Sequence, residues 1–171
     1  MVPMIGSPEE ARHIVDCMKY PPAGNRGVAL QVSHDRFESG LVPQELRAAN
    51  RKTTFFALIE TAEGAENADK IAAVRGVDCL WIRHFDLTCS LGVPGDFAHP
   101  KFRKATASII AAAKKHDKSL ARVVPDVKTG VALYKQGFDV ICYSGDVWVL
   151  FEGMRAGVSA LKDKCKGRDR N

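Results

Sequence analysis

The chain has 171 residues, 46% of them hydrophobic and 26% charged, with a net charge of +5 at pH 7. That balance excludes a disordered or fibrous chain and leaves room for one domain with a buried core. No apolar run approaches the ~20 residues needed to span a bilayer and no signal-peptide pattern opens the chain, so the expectation is a cytoplasmic protein with no membrane partner.

Met1 to Ile5 is short, apolar and extended, and Gly6 breaks it. Ser7-Pro8-Glu9-Glu10 then opens a helix, with Ser7 as N-cap, Pro8 as first helical residue and Glu10 closing a capping box. Ala11, Ile14, Val15 and Met18 share one face at helical spacing. Residues 21–52 are less regular: Val28 to Val32 reads as a short strand or extended loop, and a helix follows Pro43 with Leu46 and Ala49 inward. From there the rhythm is clear. A strand over 53–59 precedes a helix over about 62–75 that Thr61 starts and Gly76 ends. A strand over 78–82 precedes an irregular loop through Pro94-Gly95 and a helix over about 100–116, whose stripe is Phe102, Ala105, Ile109 and Ala112. A strand over 119–124, a helix over about 126–136 capped by Asp126 and ended by Gly137, and a strand over 138–143 come next. The last helix, about 146–163, is expected to bury Val147, Leu150, Met154, Val158 and Leu161.

Strands and helices alternating at this spacing make an α/β fold with a parallel sheet and right-handed crossovers. Neither a GxGxxG nor a GxxxxGK[ST] loop is present, which counts against a nucleotide-binding doubly wound sheet and for an arc of a (β/α)8 barrel. Five strands are expected, beginning at residues 1, 53, 78, 119 and 138, against eight in a full barrel of about 250 residues. Such an arc has two unpaired edges and an uncovered inner face, which invites pairing with another chain. The domain is taken as 1–163, a partial barrel, and 164–171 as a basic, disordered tail. Residues 162–170 carry +3 of the net charge. They lack interleaved aromatics or a recognisable module, so nucleic acid is not an expected partner. The five cysteines form no CxxC pair. Two of them, Cys79 and Cys142, lie in apolar strands, which fits a reduced protein.

Two carboxylates stand just past the carboxyl ends of apolar strands: Glu60 after Phe55-Phe56-Ala57-Leu58-Ile59, and Asp86 after Cys79-Leu80-Trp81-Ile82-Arg83-His84-Phe85. In parallel α/β sheets those ends share the face on which sites are built. Two hard oxygen ligands there suit magnesium or manganese, although a carboxylate after a strand is as often a helix cap.

The wording around both residues, LIET (Leu58 to Thr61) and HFDLTCSLGVPG (His84 to Gly95), resembles the two metal-ligand motifs of the HpcH/HpaI aldolase and citrate-lyase-like family. YPPAGNRG (Tyr20 to Gly27) is similar to that family's YPPxGxRG loop, and the likeness covers nearly the whole chain in order and spacing. The resemblance implies a TIM barrel and a carbon–carbon lyase acting on small 2-oxo acids. It implies a divalent metal, held by Glu60 and Asp86, that stabilises a pyruvate enolate, and backbone amides near Phe85 and Asp86 that face the substrate carboxylate. It also implies a homo-oligomer in which the last helix packs on a neighbouring subunit.

By the same resemblance the chain opens at the family's fourth strand, with roughly 80 residues, or three strand–helix units, before it. The family's general-base His, its Asp partner and its enolate-supporting Arg come from those units, so no such residue is carried over. Met1 is then either an internal methionine of a longer product or the true start of a shorter one. Two positions depart from the family wording: Leu58 stands where Gln is usual, and Arg83 where Gly is usual. A long cation at 83 could neutralise the carboxylates, fill substrate space, or grip a substrate carboxylate bidentately. These departures leave a second reading open, a non-catalytic relative that acts through association with another chain, and a third, an unrelated α/β module. His84 beside Asp86 reads as a backbone-satisfied loop histidine ahead of a proton shuttle. His34 follows an apolar run and is a candidate for the same mouth, and Arg26 reads as a structural loop arginine or one touching a subunit neighbour.

Overall fold

In a computed structural model, residues 1–38 and 40–166 are described. Among them, four strands form one parallel sheet in the order β1-β2-β3-β4: β1 (Phe56–Ile59), β2 (Cys79–Ile82), β3 (Ser119–Val124) and β4 (Val140–Tyr143). Neighbours in sequence are neighbours in the sheet, the arrangement of consecutive right-handed β/α units in a barrel arc. The helices are α1 (Pro8–Met18), α2 (Val42–Lys52), α3 (Ala62–Glu66), α4 (Ala68–Ala72), α5 (His84–Ser90), α6 (Pro100–Lys115), α7 (Val127–Lys135) and α8 (Asp146–Lys164).

Side-chain parity along the strands divides the core in two. Ala57 and Ile59 of β1, Leu80 and Ile82 of β2, and Leu120 and Val124 of β3 face the main cluster, with Ala11 of α1, Ala65, Ala68 and Ile71 of α3 and α4, and Phe102, Ala105, Ile109 and Ala112 of α6. Leu58, Cys79, Trp81 and Ala121 face the other way as a second, smaller cluster, flanked by Phe56, Val123, Val140 and Cys142. The inner face expected to lie uncovered is therefore closed at its centre. The Phe56 and Trp81 rings meet edge to face across it, their centroids 6.3 Å apart.

The caps expected of Ser7 with Glu10, Thr61 and Asp126 are all made. The glycines expected to end two helices, Gly76 and Gly137, have φ of +103° and +95°.

The differences are specific. The strand expected at 1–5 is a single parallel bridge, Val2 to Ala57, because Met4 turns into the left-handed region at φ +59°. The helix over 62–75 breaks at Asn67, whose side-chain amide donates to Gly6 O at 2.8 Å. Val28 to Val32 is loop, and the irregular loop after β2 begins as α5. The apolar stripe of α8 is not buried in its own chain: Val147, Leu150, Met154, Val158 and Leu161 are all exposed. α8 runs to Lys164, and residues 167–171 of the expected tail lie outside the described residues. None of the described helices is long and apolar enough to cross a membrane.

Candidate functional site

Glu60 and Arg83 are each the first residue past a strand, and each continues the inner-face parity of that strand (56, 58, 60 and 79, 81, 83). The pairing of Ile59 with Ile82 sets them side by side. Asp86 lies in the first turn of α5, which Arg83 precedes as N-cap residue. The loop after β2 is tied to the body by two hydroxyls. Thr88, fully buried, donates to Phe85 O at 2.7 Å and accepts from Gly95 N–H at 3.0 Å, and Ser90 Oγ accepts from Ala62 N–H at 2.9 Å. The latter bond joins the end of α5 to the start of α3, the helix that follows Glu60.

The two sequence-flagged carboxylates are thus brought together, with a guanidinium between them. Arg83 Nε donates to Glu60 Oε1 at 3.1 Å and to Asp86 Oδ2 at 3.2 Å. Glu60 is 6% exposed, Arg83 43% and Asp86 49%, so the site runs from a buried floor to a wet rim. The second oxygen of Glu60 accepts the Met4 N–H at 2.7 Å. The left-handed turn at Met4 aims that amide at the carboxylate. A strained non-glycine residue held by its surroundings at a site is where such geometry concentrates.

Of the three roles open to Arg83, the structure shows the first, neutralisation of the pair. Two carboxylate oxygens are the right donors for a hard divalent ion, and one cation reaches both; that cation is Arg83. Among the described residues no group of three or more His, Cys, Asp or Glu side chains gathers to hold a metal. An ion at Glu60 and Asp86 would enter by displacing the guanidinium, with water or substrate completing its shell.

Phe85 is exposed at the rim. With His84 and Asp86 it opens α5, and the N–H groups of these first residues have no carbonyl one turn back to bond. His84 is not satisfied by backbone. Its ring packs against Phe85 and Phe97, with centroids 4.7 and 5.2 Å away, and its Nδ1 is buried without a partner. Burial first, then the Arg122 and Arg83 charges, push its pKa down to about 4 against the raising effect of Asp86, so the ring is neutral near pH 7.

Arg122 was missed in the sequence, where its signal is a lone charge inside the apolar run Ser119 to Val124. It lies on the outer face of β3 with its guanidinium 5.9 Å from the centre of the Phe102 ring, and its Nε too is buried without a partner. His34 does not reach this site. Its Nε2 is 3.4 Å from Tyr20 Oη, in a separate hollow of about 480 Å³ between the 21–38 loop and α2. Arg26 lines the same hollow and stacks over the Tyr20 ring at 4.6 Å.

The chain is similar to known proteins in sequence and in fold. A family profile described as HpcH/HpaI aldolase/citrate lyase matches residues 1–151. A 5-keto-4-deoxy-D-glucarate aldolase of Citrobacter koseri is 37% identical over 166 residues, which cover 97% of this chain and 62% of that protein. The crystal structure of an HpcH/HpaI aldolase from Desulfitobacterium hafniense superposes with a TM-score of 0.90 at 29% identity, covering 99% of this chain and 65% of that one. An HpcH/HpaI aldolase/citrate lyase family protein of Burkholderia cenocepacia gives 0.86 at 32% identity, over 95% and 64%. The chain spans a little under two thirds of the length of these relatives.

Proposed function

Because the chain belongs to the HpcH/HpaI aldolase/citrate lyase family, we propose that it serves a carbon–carbon lyase reaction on a small 2-oxo acid, at the face where β1 and β2 deliver Glu60 and Asp86. The observation that carries this reading is the convergence of those two carboxylates at adjacent strand ends, within 3.2 Å of a single nitrogen.

Glu60 and Asp86 would hold a divalent ion, magnesium or manganese by the hardness of their oxygens. Such an ion supplies Lewis-acid stabilisation of the charge that develops on a 2-oxo acid as its bond breaks. The remaining work falls to the chain itself. The N–H groups of Phe85 and Asp86, at the open end of α5, orient the substrate carboxylate. The neutral His84 ring, packed on Phe85 and Phe97, walls one side of the site against water. The apolar stripe of α8, from Val147 to Leu161, packs on a second copy of the chain, making the protein a homo-oligomer.

The test is release of pyruvate from oxaloacetate or a 4-hydroxy-2-oxo acid in the presence of Mg²⁺ or Mn²⁺. Turnover should fall to background in Glu60→Gln and in Asp86→Asn. A wild-type chain silent toward all such acids sinks the lyase reading. It would favour a second one, that the chain acts without catalysis through association with another chain. The Arg83 contacts and the exposed stripe of α8 support this second reading.

A further inference from the structure

We propose that Arg83 is a resident counter-ion of the Glu60–Asp86 pair, so that divalent metal and guanidinium compete for one position and the chain holds metal weakly. The inference rests on the metal-site reading above and concerns a residue that sets how that site is filled.

Three observations meet. Strand parity sends Arg83 to the same face as Glu60, and the β1–β2 register sets the two side by side, so the contact follows from the backbone rather than from a chance rotamer. The Nε of Arg83 serves one oxygen of each carboxylate, at 3.1 and 3.2 Å. The other Glu60 oxygen is taken by the Met4 N–H at 2.7 Å, so the deeply buried carboxylate of the pair has both oxygens partnered without any ion. A buried carboxylate left unpaired is costly, and a partner that is always charged removes that cost permanently.

Charge settles the competition. Two carboxylates and one guanidinium leave the cluster at −1. A divalent ion added with Arg83 in place brings it to +1 and sets two cations against each other in a half-buried site. With Arg83 displaced, or replaced by a neutral residue, the same ion brings the cluster to zero.

The experiment is Mn²⁺ binding to the full chain without substrate, read by the electron paramagnetic resonance of free Mn²⁺. Wild type, Arg83→Gln, Arg83→Lys and the double variant R83Q/D86N are compared. The expected result is that R83Q binds Mn²⁺ at least about ten-fold more tightly than wild type, while R83K stays within about three-fold because the charge is kept. Adding D86N should abolish the gain. Arg83→Met, neutral and of similar length, carries the same expectation if the glutamine variant is unstable. Equal affinity in wild type and the neutral variants overturns the inference while leaving the metal reading standing. Absence of binding in the neutral variants as well overturns both.

Discussion

Two neighbouring carboxylates can share a cation and still differ in what their loss costs, because cost follows burial. Glu60 is nearly closed off and carries two partners, the Met4 N–H and Arg83, whereas Asp86 is half exposed and carries one here. Glu60→Ala should therefore destabilise the fold by about 2 kcal/mol, since it strands a part-buried amide as well as a cation. Glu60→Gln keeps an acceptor for Met4 and should cost about half as much. Asp86→Asn should cost less than about 0.5 kcal/mol, the scale of an exposed ion pair. Urea unfolding at pH 7 without added metal measures all three, and an Asp86→Asn cost equal to that of Glu60→Ala would overturn the ranking. A second residue-scale consequence concerns the cysteines. Burial, then the Asp139 and Asp78 charges, push the Cys79 thiol up to about 12, while Cys17, Cys89 and Cys165 are exposed. At pH 8 the Cys79 thiolate is then about one part in ten thousand, and a disulfide reagent should label the three exposed thiols at once and Cys79 only on unfolding. The folded thiol titrates above the unfolded one, near 9. Its contribution to stability is therefore complete below pH 9 and declines as pH rises from 9 toward 12.

Elements fix where those residues stand, and one tight joint is between α3 and the opening segment. A Cβ on Gly64 would lie 2.6 Å from Ile5 O and 3.4 Å from Ile59 Cγ2. Gly64→Ala gains up to about 1 kcal/mol of helix propensity but drives a carbon into a backbone oxygen that cannot step aside, so a net loss of about 1–2 kcal/mol is expected. The same push moves the segment that carries the Met4 amide, so in thermal melts Gly64→Ala and Glu60→Gln should couple rather than add. The elements were mostly legible from the chain. Ser7, Thr61 and Asp126 announced helix starts through side chains that bond the next turn, and Gly76 and Gly137 announced ends through positive φ. α5 was not, because it is seven residues long and its N-cap, Arg83, makes no capping bond. The strand at 1–5 shrank to one bridge because Met4 adopts a conformation that no apolar pattern encodes. The pairing of Glu60 with Asp86 could be read from strand ends. That Arg83 neutralises them, rather than filling space or gripping a substrate, needed the register of β1 on β2.

The molecule as a whole is uneven. Its main core joins β1, β2 and β3 to α1, α3, α4 and α6, whereas β4 is only partly buried and α8 buries none of its side chains. Periodicity correctly gave α8 an apolar stripe, but a stripe says only that something covers it, not whether the cover belongs to the same chain. Trp148, Leu150, Phe151, Met154 and Leu161 are each more than 60% exposed on this one helix, and large apolar side chains clustered in the open mark interaction surfaces. If a second copy covers it, protection there depends on mass action, while protection of the central strands does not. Amide hydrogen exchange followed over a hundred-fold range of protein concentration should slow across residues 146–164 as concentration rises and stay constant across 79–82. Leu150→Asp with Met154→Asp should remove that dependence and lower the mass found by sedimentation, with little effect on exchange in β2. Fast exchange of α8 at every concentration would mean that a copy of this chain is not what covers it.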